Sequence, residues 1–226
     1  MNRIGFGMHA EPAEKFFSPA AKLAAKGDGA AAYAYGFVCH FALDSACHSY
    51  IENKIRVSNV RHTEIESEFD RSLLLEEGKD PLSAVLTSHI AASEENAGVI
   101  APFFGVTEKQ AYKALRSMLF YNSLVRAPHA FKRGLVNFVL KISGNYKEMH
   151  GMIAKRPIKA CEDSDLRLKK LFEKAVPEAV RLIGNFAGFV RGENALSPAF
   201  GDTFSFKQGW ENIPVLSPEE EKNYEV

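Results

Sequence analysis

The sequence predicts an all-α protein, a single-domain multi-helix bundle, on three observations. Apolar residues recur at helical spacing through most of the chain, as at Ile65, Phe69 and Leu73, four apart. Capping signals and glycines punctuate these segments, with Thr107 and Gln110 three apart as in a capping box and Gly78 as a stop. No run of alternating β-branched residues offers a strand.

Taken in order, residues 11–26 read as a helix, and Gly27, Asp28 and Gly29 break it from a second helix over 29–52. The segment VRHTEIESEFDRSLLLEEG is a third, residues 81–93 a fourth, and VTEKQAYKALRSMLFYNSLVR a fifth. Later helices are expected over 128–142 and 163–191, the latter passing Pro177 as a kink or as two pieces. After about residue 195 the chain turns rich in Pro, Gly and Phe and ends acidic. The expected organisation is therefore a helical domain over 1–195 and an irregular C-terminal extension over 196–226.

Lys plus Arg and Asp plus Glu both total 28, so the formal net charge is zero. No global field draws in nucleic acid, which is not an expected partner, and a phosphate-bearing ligand must be held by a local site. Three cysteines, Cys39, Cys47 and Cys161, are an odd count. On one helix Cys39 and Cys47 lie roughly 12 Å apart, too far to bridge. A reducing compartment is the simplest reading, hence a cytoplasmic address for the sequence as given. The start, MNRIGFGMHAEPAEKFF, lacks the apolar core of a signal peptide, and no run of about 18 uncharged apolar residues marks a transmembrane segment.

The segment YGFVCHFALDSACHSYIENK, residues 35–54, sets His40, Asp44 and His48 four residues apart among Ala, Phe, Leu and Tyr. Four residues turn an α-helix by about 400°, so these side chains form a stripe drifting only about 40° per step. Extended backwards the stripe meets Tyr33, Gly36 and Phe37, which places it on the apolar side. A carboxylate there is costly unless a cation or strong donors accompany it. His62 and Glu66 repeat the spacing on the following helix, and residues 53–60 are few enough for the two helices to lie side by side. Neutral imidazoles with one or two carboxylates are what zinc accepts in a catalytic site. On spacing alone, satisfied histidines and a solvated Glu66 beside Glu64 and Glu68 stay open.

The segments MHAEPAEKFF, YGFVCHFALDSACHSYIEN and HTEIESEFD, within residues 8–78, resemble the bacterial zinc-dependent phospholipase C family. That helical fold is related in architecture to the single-strand-specific zinc nucleases of the P1 type. The family pattern is an upstream histidine before a lysine- and alanine-rich helix, then roughly GxxxHYLxDxxxHPxxxxN, then HxxxExxxD. LIGNFAGF is a fainter echo of a later family segment. The resemblance implies that His9, His40 and Asp44 are ligands of one zinc and His48, His62 and Glu66 of a second. One to three ions are implied, two being the expected number. The implied activity is hydrolysis of a phosphodiester by metal-activated water, with phospholipid the usual substrate.

Two departures stand beside the matches. Ser49 occupies the position where the family commonly has proline. The family also carries an N-terminal amine or early histidine for a further zinc, and an Asp, often in Gly-Pro-Asp, ahead of the position of His9. Here the sequence opens eight residues before His9 and has no Asp before Asp28. Relative to the family it lacks the N-terminal region. Either it begins at an internal methionine of a longer protein, which leaves a secreted or surface address open, or it is a reduced relative with one good zinc site.

Two alternatives follow for function: a catalytically reduced zinc-binding helical domain, and a nuclease or phosphatase with the same metal cluster. His89 and His129 have no partner at helical spacing, and His150 sits in a basic turn-like stretch, so none is a candidate. If the substrate is lipid, an exposed Phe204 or Phe206 is expected to help the protein sit on an aggregate surface.

Overall fold

The structure, a computed structural model, describes residues 2–226, with the side chains at positions 2, 3, 4 and 6 outside that description. Ten α-helices and four short 3-10 turns carry the described residues. The only strand-like pairing among them is an isolated bridge between Pro12 and Thr203. The protein is all-α, as the helical periodicity predicts.

The chain forms two compact units: Met1–Tyr50, Ala91–Arg116 and Leu171–Ile213 make the first, and Ile51–Ile90, Ser117–Lys170 and Pro214–Val226 the second. The first contains α1 (Asn2–His9), α2 (Glu14–Ala24), most of α3 (Asp28–Val57), α5 (Glu94–Phe104), the start of α6 (Glu108–Val125) and the end of α9 (Glu162–Val190). Its core is aromatic. Phe17, Phe41, Phe186, Phe200 and Phe204 are all but fully buried. Phe17 and Phe200 lie 4.5 Å apart between ring centroids, Phe17 and Phe186 5.4 Å, and Phe41 and Phe204 5.2 Å. Burying each such side chain is worth about 1.5–3 kcal/mol. Ala34, Val38 and Ala42 of α3 and Leu182 of α9 fill the spaces between the rings.

One helix is new and one expectation is corrected. The first helix, α1, had no periodic signal. Residues 81–93 are turns rather than a helix. The Asp80 carboxylate accepts from Leu82 N at 3.1 Å and Ser83 Oγ at 2.7 Å, which folds the chain back locally. The helix starts only where Ser93 Oγ accepts from Asn96 N at 3.1 Å, with Glu94 and Glu95 in its first turn, and it stops at Gly105, whose φ is +59°. Thr107 and Gln110 form the expected capping box, with Thr107 N donating to Gln110 Oε1 at 2.9 Å and Gln110 N to Thr107 Oγ1 at 3.2 Å. Pro177 does not divide α9, a single helix of 29 residues.

The second unit contains the end of α3, α4 (His62–Glu76), the end of α6, α7 (Ala130–Ile142), α8 (Tyr146–Met149), the start of α9 and α10 (Pro218–Glu221). One apolar cluster there is Ala127, Val136, Leu140 and Ile153, and Ile51, Ile65, Phe69 and Leu168 are buried as well, with buried charge beside them. Lys54 Nζ donates to both oxygens of Asp163 at 2.8 and 2.7 Å, and Arg167 makes a two-pronged pair with Glu221 at 2.9 and 2.7 Å. The Tyr224 ring covers the Arg167 guanidinium at 4.0 Å. Buried Glu68 accepts from Arg71 Nε and from the backbone N of Ile158. Among residues 196–226, Phe200 and Phe204 lie in the first unit's core, and Glu221 is buried in the second.

The cysteines remain thiols, Cys39 exposed and the other two buried. Burial, reinforced by Asp165 and other nearby carboxylates, pushes the Cys161 thiol up to about 12, an unreactive state.

Pairs as buried as Arg167–Glu221 lose far more on truncation of one partner than they gain by forming. Glu221→Ala is expected to cost about 3–5 kcal/mol in urea unfolding, and a loss below about 1 kcal/mol would show that the guanidinium finds water instead. Asp165 gives a pH dependence. Its Oδ1 is buried without a hydrogen-bond partner, and burial, then Glu68, then Asp163 and Glu162, push its carboxyl up to about 7 against the pull of Arg71. A carboxyl held neutral supports folding below its unfolded pKa of about 3.9, and that support is lost as pH rises through the folded value. Asp165→Asn should therefore stabilise the chain more at pH 8 than at pH 4. Equal effects at both would mean the carboxyl is ionised throughout.

Candidate metal centre

Because α3 runs unbroken, the spacing of four becomes geometry. His40 Nε2 lies 2.7 Å from Asp44 Oδ2. From the last residue of α1, His9 Nε2 comes within 3.4 Å of His40 Nε2 and 3.5 Å of the same Asp44 oxygen. Three ligand-type atoms, one of them on a residue 31 positions before His40, thus converge on one point of the first unit.

The stripe does not face the core as expected. The core positions of α3 are Ala34, Val38, Phe41 and Ala42, about 100° round the helix from Asp44. The His40 and Asp44 side chains consequently sit at the border, 42% and 16% exposed. Their apolar wall is Phe37 and Phe204, each 5.4 Å from the His40 ring, with Phe204 5.5 Å from that of His9. A cavity of about 190 Å³ opens beside His9 and His40, lined also by Gly5, Met8 and Phe104.

Sequence reasoning singled out Phe204 and Phe206 but missed how the segment 202–207 is bonded to the histidine-bearing helices. Ala13 N donates to Asp202 O at 2.9 Å and Ser205 N to His9 O at 3.2 Å, which ties this segment to the chain on both sides of residue 10. The Ser49 hydroxyl, where the family has proline, accepts from Lys207 N at 2.9 Å. His48 Nδ1 lies 2.7 Å from Phe204 O. A carbonyl only accepts, so Nδ1 carries a proton, and in the neutral ring Nε2 then presents its lone pair, the tautomer that a backbone carbonyl sets for a metal-binding imidazole. Phe204 is therefore buried at this contact rather than available to a lipid surface, whereas Phe206 is partly exposed.

In the second unit His62 Nε2 and Glu66 Oε1 are 2.9 Å apart on α4. Asp70 continues that stripe, and its carboxyl is raised by burial and by Glu66. His150 is structural, stacked on Tyr146 with Nε2 3.3 Å from Glu64. His89 and His129 are exposed.

His9, His40 and Asp44 fit zinc. Three bonds of about 2.0–2.1 Å at tetrahedral angles place ligand atoms about 3.3–3.4 Å apart, close to two of the observed separations, and two imidazoles with one carboxylate are a zinc donor set.

The family model for zinc-dependent phospholipase C matches residues 4–118. The chain belongs to that family. The match reaches past residue 78, where the sequence resemblance stops, and it contains all six candidate ligands. No curated protein and no solved structure matched the chain. No helix among the described residues of this phospholipase C family member is long and apolar enough to cross a membrane.

The Phe204 contact makes a direct prediction: proton–nitrogen correlation spectra should show neutral His48 protonated at Nδ1. A signal from the Nε2–H form would remove the proposed role of the Phe204 carbonyl.

Proposed function

We propose that this member of the zinc-dependent phospholipase C family hydrolyses a phosphodiester, with the headgroup ester of a phospholipid as substrate. The observation that carries the reading is the convergence of His9 Nε2, His40 Nε2 and Asp44 Oδ2 beside an apolar cavity. In this reading His9, His40 and Asp44 hold one zinc. The family pattern assigns His48, His62 and Glu66 to another, and the fixed tautomer of His48 and the pairing of His62 with Glu66 support it. Zinc bound in such a site supplies Lewis acidity and a water that ionises near neutral pH.

The chain's own residues do the rest. Phe37 and Phe204 exclude water from one side of the imidazoles, which strengthens every charge interaction there. The cavity walled by Met8, Phe37, Phe104 and Phe204 suits the apolar glyceride part of a lipid better than a sugar or a base. That wall favours a phospholipid over a nucleic acid, as does the zero net charge.

The test is elemental analysis of protein purified without chelator, joined to a phosphodiesterase assay on a soluble short-chain phospholipid. About two zincs per chain and turnover are expected. His40→Ala and Glu66→Ala should each lose zinc and reduce turnover by at least about a hundredfold, equivalent to about 2.7 kcal/mol of barrier. Unchanged zinc in both variants would sink the ligand assignment, and bound zinc without turnover of any phosphodiester would leave a zinc-binding domain with no hydrolase activity.

A further inference from the structure

Helix α7 is apolar on two opposite sides. Val136 and Leu140 are buried with Ala127 and Ile153. Opposite them Phe131 is 85% exposed, Ile142 72%, Phe138 60% and Leu135 53%. At about 100° per residue these four fall within an arc of about 60° and span about 16 Å of helix. Nothing in the unit's own packing accounts for such a stripe, because solvated apolar surface of this extent is unfavourable without a partner.

The charges around it point to the partner. No Asp or Glu occurs between Glu108 and Glu148, in a chain whose acids and bases balance overall. Within the second unit that stretch carries Arg126, Lys132, Arg133, Lys141 and Lys147. Lys132 and Arg133 donate to the carbonyls that end α6 and lead into α7: Ser123 and Arg126 for Lys132, Ala127 and Pro128 for Arg133. Lys132 and Lys141 flank the apolar arc, one on either side, and Lys141 and Lys147 are exposed. A helix with an apolar face edged by cations is the pattern of an interfacial membrane helix. A second copy of the chain fits worse, since a two-fold contact through this face would set these cations against their own copies.

We propose that α7 docks the protein on an anionic lipid bilayer, with Phe131, Leu135, Phe138 and Ile142 entering the boundary between headgroups and acyl chains and Lys141 and Lys147 meeting lipid phosphates. The choice of a bilayer as partner rests on the phospholipid reading above, while the docking face shares no residue with the candidate metal centre.

The experiment is co-sedimentation of the full chain with vesicles of phosphatidylcholine alone and of phosphatidylcholine mixed with phosphatidylglycerol, alongside turnover of a monomeric short-chain phospholipid. The wild type is expected to bind the anionic vesicles at least about tenfold more tightly, with the preference shrinking as salt rises. Phe131→Ser with Phe138→Ser and Ile142→Ser should lower binding to both vesicles at least about tenfold, with the circular dichroism spectrum retained. Lys141→Gln with Lys147→Gln should remove most of the anionic preference, and neither set should change turnover of the monomeric substrate. Wild-type protein that ignores both vesicles would overturn the proposal, as would a dimer that the serine variant dissolves. Turnover of the monomeric substrate is read separately, so its absence counts against the hydrolase reading and not against docking.

Discussion

Helix α3 has to satisfy two demands at once, and the candidate centre depends on how it does so. Ala34, Val38, Phe41 and Ala42 bind it to the aromatic core, while His40, Asp44 and His48 need water, a cation or a hydrogen bond. The helical period resolves the conflict by separating the two sets by about a quarter turn. Asp44 keeps enough exposure to stay solvated and enough burial for its partners to matter, which is the environment a metal-binding carboxylate requires.

Much of this was legible because it is local. A spacing of four on an apolar helix survives translation into structure, so His40 and Asp44 do meet and His62 does pair with Glu66. The capping box at Thr107 and Gln110 was readable for the same reason. The side of α3 on which the histidines stand was misjudged, because Tyr33 and Phe37 read as core residues although both are only partly buried. Residues 81–93 misled in another way, since their apolar content was mistaken for a helix that Asp80 turns aside and Ser93 postpones.

What could not be read was long-range. The bond from His48 to Phe204 O joins residues 156 positions apart, and no periodicity in a stretch rich in Pro, Gly and Phe announces it. The burial of Arg167 against Glu221 was equally invisible, because an acidic tail reads as solvated until its one buried member is located. The two units also differ in what holds them. Aromatic packing dominates the first, where small shape changes are felt directly. The second adds two buried charge pairs to its apolar core, which makes it sensitive to the loss of single partners.

The dependence on segment 202–207 has a consequence for the order of events during synthesis. His9, His40 and His48 leave the ribosome early, but the backbone groups that position His48 and His9 arrive 156 and 196 residues later. At roughly 5–20 residues per second those intervals last roughly 8–40 s. For that time the histidines lack the bonds that fix them in the folded protein. On the proposed ligand assignment, a correctly shaped zinc site therefore waits for the last fifth of the chain, although its ligands are made first.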